Sequence, residues 1–247
     1  MTGVLLRDIT KTFHVDGQAV SALDTVQAAF PKGSFISIVG YSGCGKTSLL
    51  NVIMGLQNFD KGSLDFTGMT GRMSMVFQEP RLVSALSVEK NMALALKHEK
   101  DPVLKKKVLD RTFNMLGLTA FRKALPCQLS GGMAQRASLG RALCRQPELL
   151  LMDEPFGSLD ALNRKKLQNE LVDIYLREDI TILFVTHDVS EAVLLGGRVY
   201  VMDQGAFTHE IPVDLPYPRD ASSQEFISIR DRVLSAILRE NKAVLQY

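Results

Sequence analysis

Three cysteines in 247 residues, with no C-x-x-C spacing among Cys44, Cys127 and Cys144, leave no zinc-type cluster and no even disulfide framework. A reducing cytosol fits that set. Long apolar runs are missing too. The longest, such as Met92–Leu96 and Leu149–Met152, fall far below the ~20 residues that span a bilayer, so work at a membrane requires a partner with spanning segments. The opening residues Met1–Asp8 hold too short an apolar stretch for a signal peptide. Charge of one sign is scarce: the formal net charge is +2, without the clustered basic excess of a nucleic-acid binder. The run Lys105-Lys106-Lys107 sits in a helical pattern and reads as a solvated face. No internal repeat and no low-complexity segment is present. The length suits one α/β domain with a small inserted lobe, or two small domains, and 46% hydrophobic with 23% charged residues excludes disorder.

The hydrophobic pattern divides the chain. Short strands are expected at Val4–Leu6 and Val20–Leu23 around a turn at Asp16-Gly17. Phe35–Val39 is a continuous apolar run ending at Gly40, the mark of a buried parallel strand feeding a loop and a helix, here Ser48–Leu56. A strand at Met73–Phe77 follows. Between about Arg81 and Leu129 only helices are expected. One is capped by Ser87; another opens at Asp101-Pro102, with Leu104, Val108, Thr112, Met115 and Leu116 on one face. After Ser130 the alternation returns, with a helix to Arg145, strand Leu149–Met152, helix Ala161–Arg177, strand Thr181–Val185, helix Val189–Leu195 and strand Val199–Met202. Strands alternating with helices predict a mostly parallel sheet covered on both faces, so the helical block is an insertion in one α/β domain. The tail from Ile211 is broken by prolines to Pro218, then reads as an amphipathic helix through Phe226, Ile229, Val233 and Ile237.

Three stretches carry chemistry. Gly40-Tyr41-Ser42-Gly43-Cys44-Gly45-Lys46-Thr47 fits the phosphate-loop pattern G-x-x-x-x-G-K-[ST] between a strand and a helix. Its glycines let successive amides face phosphates, and the helix adds its positive end. Lys46 supplies a charge to the β and γ phosphates, and Thr47 a hydroxyl to Mg²⁺. The amides and Lys46 also predict that Cys44, if accessible, is the most reactive of the three thiols; the alternative is a small buried packing residue. The apolar strand Leu149–Met152 ends in Asp153 and Glu154, which suit a hold on Mg²⁺ and a general base for the attacking water. Leu129-Ser130-Gly131-Gly132-Met133 opens a helix with Ser130 as N-cap, a second anion site that makes sense if it serves a neighbour's nucleotide.

The set of these three stretches with Ser158-Leu159-Asp160 and His187 resembles the ATP-binding cassette (ABC) transporter ATPases over residues 1 to about 210. The resemblance implies an ATPase with ATP and Mg²⁺ as cofactors. It also implies a P-loop NTPase (RecA-like) α/β core, an N-terminal antiparallel β subdomain and a helical subdomain inserted at about 82–135, followed by the tail 211–247. It assigns Gln78 to Mg²⁺ and to the link with a membrane subunit, Asp160 to the contact between subunits, and His187 to the γ-phosphate. Phe13 takes the place of the aromatic that stacks on adenine, usually tyrosine. The implied partners are a second copy in the ATP-bound state, a membrane permease and, indirectly, a periplasmic or extracellular substrate-binding protein. The implied place is the cytoplasmic face of the membrane. Met133 and Ala134 depart from the family's common residues, and Thr47-Ser48 reverses its usual order while keeping the Mg²⁺ hydroxyl. The short stretch from Lys46 to Gln78 predicts trimmed strands around Asp65–Gly71.

Three further stretches resemble the nitrate/sulfonate/taurine group of bacterial importers, whose ATPases carry a "DLP-x-PR" segment. They are Val76–Leu82, Asn91–Leu94 and Val213–Asp220. Ser84–Ser87 departs from that group. Other cargoes, including export and lipid trafficking, and cassette ATPases of cofactor assembly stand as alternatives. DNA-repair and translation types do not, because neither long coiled coils nor a second cassette is present.

Overall fold

The computed structural model describes residues 2–244, with side chains through Leu238. Two long strands, β1 (Gly3–Val15) and β2 (Gln18–Pro31), form an antiparallel hairpin. Its turn is the expected Asp16-Gly17 pair, with φ of 51° and 80°, the left-handed geometry that matches strand twist. The short strands expected at Val4–Leu6 and Val20–Leu23 are segments of this longer ribbon. Next come β3 (Phe35–Val39), buried throughout, and α1 (Lys46–Met54), which stops at Gly55 with φ 74°. The helix begins two residues before the expected Ser48, because Gly45 takes a left-handed φ of 107° at its N-cap. Then β4 (Lys61–Thr67) pairs with β1, from Gly3 opposite Thr67 to Arg7 opposite Ser63. Around the expected trimmed stretch Asp65–Gly71 the chain forms the end of this one strand, and among the described residues no further strand precedes β5 at Met73.

After β5 (Met73–Val76) come three helices, α2 (Val88–Ala93), α3 (Pro102–Met115) and α4 (Gly131–Cys144), before β6 (Leu149–Asp153). Ser87 caps α2 by accepting from Lys90 N, and Asp101 caps α3 by accepting from Val103 N at 2.8 Å. The expected apolar face of α3 is partly corrected. Val108, Thr112 and Leu116 are buried, but Leu104 is 41% exposed, and Phe113 is buried in its stead. Phe113 lies under the Arg122 guanidinium, 4.4 Å from its ring centroid. Where α4 crosses, a Cβ on Gly140 would lie 2.5 Å from Met92 Cε and 2.9 Å from Leu116 Cδ1, so the small residue lets the helices close up.

The chain then alternates as expected, through α5 (Ala161–Arg177), β7 (Thr181–Thr186), α6 (Val189–Leu195) and β8 (Arg198–Asp203). The antiparallel strand β9 (Ala206–Pro212) was not expected from the sequence. The large sheet runs β5-β6-β7-β3-β8-β9, parallel except for β9. Side chains alternate across it: Leu149 and Leu151 face the cluster under α1 and the antiparallel ribbon, while Leu150 and Met152 face the helical block. The last helix, α7 (Gln224–Val244), buries Phe226, Val233, Ala236 and Ile237 against Val193, Val199 and Val201. Among the described residues no helix is long and apolar enough to cross a membrane.

Candidate active site

The strand order decides what meets. Because β6, β7 and β3 are neighbours and parallel, the loops after them open at one edge of the sheet, the edge where α/β sheets bind ligands. The loop after β3 is shaped by its glycines. A Cβ on Gly40 would lie 2.1 Å from Met202 O, and one on Gly45 would lie 2.3 Å from Ala22 O. Only glycine lets this loop lie so close to β2 and β8. Lys46 is buried, and its Nζ donates to Gly40 O and Tyr41 O, each at 2.8 Å. Tyr41, Ser42 and Gly43 are exposed beside it, and Ser48 is half-buried. The result is a compact loop at a helix N-terminus with a cation held inside, a geometry suited to phosphate.

Thr47 Oγ1 lies 3.1 Å from Asp153 Oδ1, so the β3 loop and the end of β6 share one polar corner. Burial pushes the Asp153 carboxyl up; the Thr47 hydroxyl opposes this, the Glu154 carboxylate adds to it, and Lys46 and Arg81 oppose it. Glu154 has a φ of 44°, uncommon for a residue with a side chain, and its amide donates to Val185 O at 2.9 Å. That bond turns the carboxylate out of the strand line. Its Oε2 lies 2.9 Å from His187 Nδ1, and the imidazole itself is largely exposed. Gln78 is exposed just past β5, and a Cβ on Gly157 would lie 3.4 Å from its Nε2. The structure thus places Lys46, Thr47, Asp153, Glu154 and His187 in one linked group, with Gln78 beside the loop that follows β6.

The remaining expected residues lie apart from that group. Ser130 caps α4 by accepting from Met133 N at 3.3 Å. Gly131 is exposed with open space at its Cβ position, whereas a Cβ on Gly132 would lie 3.2 Å from Asn163 Cγ. Asn163 in turn donates to Asp160, which caps α5 by accepting from Leu162 N and Asn163 N at 3.1 and 3.0 Å. The start of α4 and the Asp160 turn therefore form one exposed patch. Among the described residues, no hydrogen bond or ion pair joins Ser130–Gly132 to the phosphate loop of the same chain. Phe13 stands half-buried near the hairpin end, with Val20 as its cross-strand partner.

One expectation is overturned. Cys44 is 7% exposed, and burial pushes its thiol up more strongly than Lys46 pulls it down. Its Sγ would lie 2.7 Å from a Cβ on Gly40, so it fills the space under the loop. Cys127, in the short turn Pro126–Gln128, is exposed, and Cys144 is buried. Brief treatment with iodoacetamide is expected to label Cys127 first; peptide mapping that finds Cys44 labelled first would contradict this.

The comparisons decide the family. Residues 23–157 match the family model described as ABC transporter. The chain belongs to the ABC transporter family. This cassette is 40% identical over 232 residues to the aliphatic sulfonates import ATP-binding protein SsuB of Bacillus subtilis (strain 168), covering 91% of this chain and 90% of that one. It is 38% identical over 238 residues to the protein of the same name from Bacillus anthracis, covering 94% of each. Among solved structures it resembles the ATP-binding cassette MJ0796 in a dimeric post-hydrolysis state bound to ADP and Pi. That match has a TM-score of 0.76 and 27% identity, over 86% of this chain and all of the other. The cassette is an ATP-binding ATPase.

Two residues of the importer-like stretches acquire a physical role that their sequence did not show. Asn91 is fully buried, and its carboxamide takes Val83 N while donating to Val83 O, Leu86 O and Ser87 O, which fixes the turn before α2. Arg219 of the DLPYPR segment donates to the carbonyls of Val193, Gly196, Val213 and Leu215 and stacks on Tyr217, 4.3 Å from the ring centroid. It fastens the tail to the end of α6. A buried cluster of Gln168, Glu191 and Thr186 behind His187, with the half-buried Arg164 beside it, was missed as well: Glu191 accepts from Thr186 Oγ1 at 2.7 Å and from Gln168 Nε2 at 3.1 Å. Its members come from three separate elements, and no short motif joins them.

Proposed function

We propose that this ATPase powers import of a small sulfonate or a similar small oxyanion through a separate membrane permease. In this reading it works as a homodimer on the cytoplasmic face of the membrane, and a substrate-binding protein outside delivers the cargo. The observation that carries the reading is the likeness, over nine-tenths of both chains, to proteins named for import of aliphatic sulfonates.

The site residues support a role for each. Lys46 and the amides of residues 40–47 bind the phosphates, and Phe13 packs on the adenine. Glu154 takes the proton of the attacking water, and His187 holds Glu154 and meets the γ-phosphate. Thr47 Oγ1 and the Asp153 carboxylate offer hard oxygen donors that fit Mg²⁺, with Gln78 alongside. Mg²⁺, when bound there, neutralises charge on the phosphates. Ser130–Gly132 and Asp160 serve the nucleotide of the second copy, so ATP joins two chains and its hydrolysis lets them part.

The permease surface in this reading is the cleft between residues 78–86 and the helix that opens at Ser87, where Val83 is exposed and Leu86 is half-buried. Val83 and Leu86 hold their turn through main-chain bonds to Asn91, so their side chains are open to change. Val83→Asp and Leu86→Asp are each expected to leave ATP hydrolysis by the isolated subunit within about twofold while abolishing copurification with the permease, because an unpaired carboxylate would be buried there. Copurification at the wild-type level would contradict the surface. The cargo is tested by reconstituting the subunit with its permease and binding protein and measuring ATPase stimulation by sulfonates, taurine and nitrate. No stimulation by any of them in a stable complex would overturn the cargo reading.

A further inference from the structure

The segment that carries Gln78 is fastened by side chains of α4. Gln135 Nε2 donates to Phe77 O at 3.1 Å, and Arg141 donates to Pro80 O at 3.1 Å and to Arg81 O at 2.8 Å. The carbonyls on both sides of Gln78 are thus held by one helix. The segment is also folded on itself: Arg81, at a φ of 46°, stacks its guanidinium on Phe77, 3.9 Å from the ring centroid. Gln135 is 1% exposed, and its Oε1 has no hydrogen-bond partner among the described residues. A buried amide with an unsatisfied acceptor is a poor packing residue, and an apolar side chain would serve better there if packing were all that mattered. What the glutamine adds is the donor to Phe77 O.

The same helix begins at Ser130. Its 14 residues span about 21 Å, and its close contacts at Gly140 make it a stiff member of the helical block. We propose that Gln135 and Arg141 are positioning residues for ATP hydrolysis, tying the helix that opens at Ser130 to the segment bearing Gln78 so that the two move as one unit. A displacement at one end of α4 then reaches Gln78 through three hydrogen bonds from side chains to main-chain carbonyls rather than through loose packing. The inference rests on Gln78 serving the reacting nucleotide, and Gln78→Ala measured alone tests that part separately.

The experiment compares steady-state ATP hydrolysis of the wild-type chain with Arg141→Met, Gln78→Ala and the double variant. Arg141→Met is expected to lower kcat about 10-fold or more, since small misplacements of a group at the reacting centre are costly, while KM for ATP stays within about twofold. In the Gln78→Ala background, Arg141→Met is expected to cost less than about twofold further, because it acts through the residue already removed. Arg141→Lys, which still donates to carbonyls, is expected to recover most of the loss. Should Arg141→Met fail to fold by circular dichroism, Gln135→Met, which removes only the Phe77 bond, takes its place in the same cycle. Additive losses in the double variant, or a wild-type kcat in the folded single variants, would overturn the tether. A wild-type rate in Gln78→Ala would instead remove the role given to Gln78.

Discussion

Glu154→Gln is expected to bind MgATP at near-normal affinity and to hydrolyse it about 10²–10⁴-fold more slowly, the usual cost of losing one placed base. The amide keeps the size of the carboxylate and can still bond to His187, which lies 2.9 Å from Glu154 Oε2. It cannot take a proton from water. The backbone that aims this side chain, with its left-handed φ and the bond to Val185 O, is untouched by the change. Because the γ-phosphate is not removed, the variant is also expected to remain dimeric in the presence of ATP, as read by size-exclusion chromatography with light scattering. Turnover within threefold of wild type would move the base to another residue.

Ser130→Arg is expected to leave nucleotide binding by the monomer within about twofold and to lower hydrolysis about 10²-fold or more, comparable to loss of an anion-stabilising donor at a reacting centre. Two effects add. The cap on Met133 N is lost, which costs about 1 kcal/mol of helix stability. A bulky cation is also set against the positive end of α4, on the patch the Asp160 turn shares. Lys46 and the phosphate loop of the same chain touch none of this. Loss of ATP binding by the isolated monomer would refute the claim that Ser130 serves the neighbour's nucleotide.

Much of this site was legible in the sequence because its strands are buried on both faces. The strands expected at Phe35–Val39, Leu149–Met152 and Thr181–Val185 are mostly apolar, and the residues that follow them carry the chemistry. The turn at Asp16-Gly17 was legible because only particular residues take its φ values. The misses have a common physical cause. β9 has exposed Thr208, His209 and Glu210, so it lacks the run that marks a central strand and shows only as a partner of β8. The exposure of Leu104, the burial of Phe113 and the burial of Cys44 are set by neighbours far along the chain. So are the bonds of Gln135, Arg141 and Arg219, each a polar side chain holding carbonyls of a loop that sequence spacing does not identify. Periodicity tells which way a residue faces along its own element, but not what packs against it.

The central claim is that each ATP site is built from two copies of this chain. It is tested most directly by mixing Ser130→Arg with Lys46→Ala. Each variant alone carries a fault in both sites of its homodimer. A mixed dimer places both faults in one site and leaves the other with an unmutated Lys46 facing an unmutated Ser130. ATP hydrolysis by the mixture is therefore expected to exceed the sum of the two separate rates, to rise with total protein concentration, and to peak near equal proportions. A rate equal to that sum at every ratio, with mixed dimers demonstrated by cross-linking, would contradict the shared site.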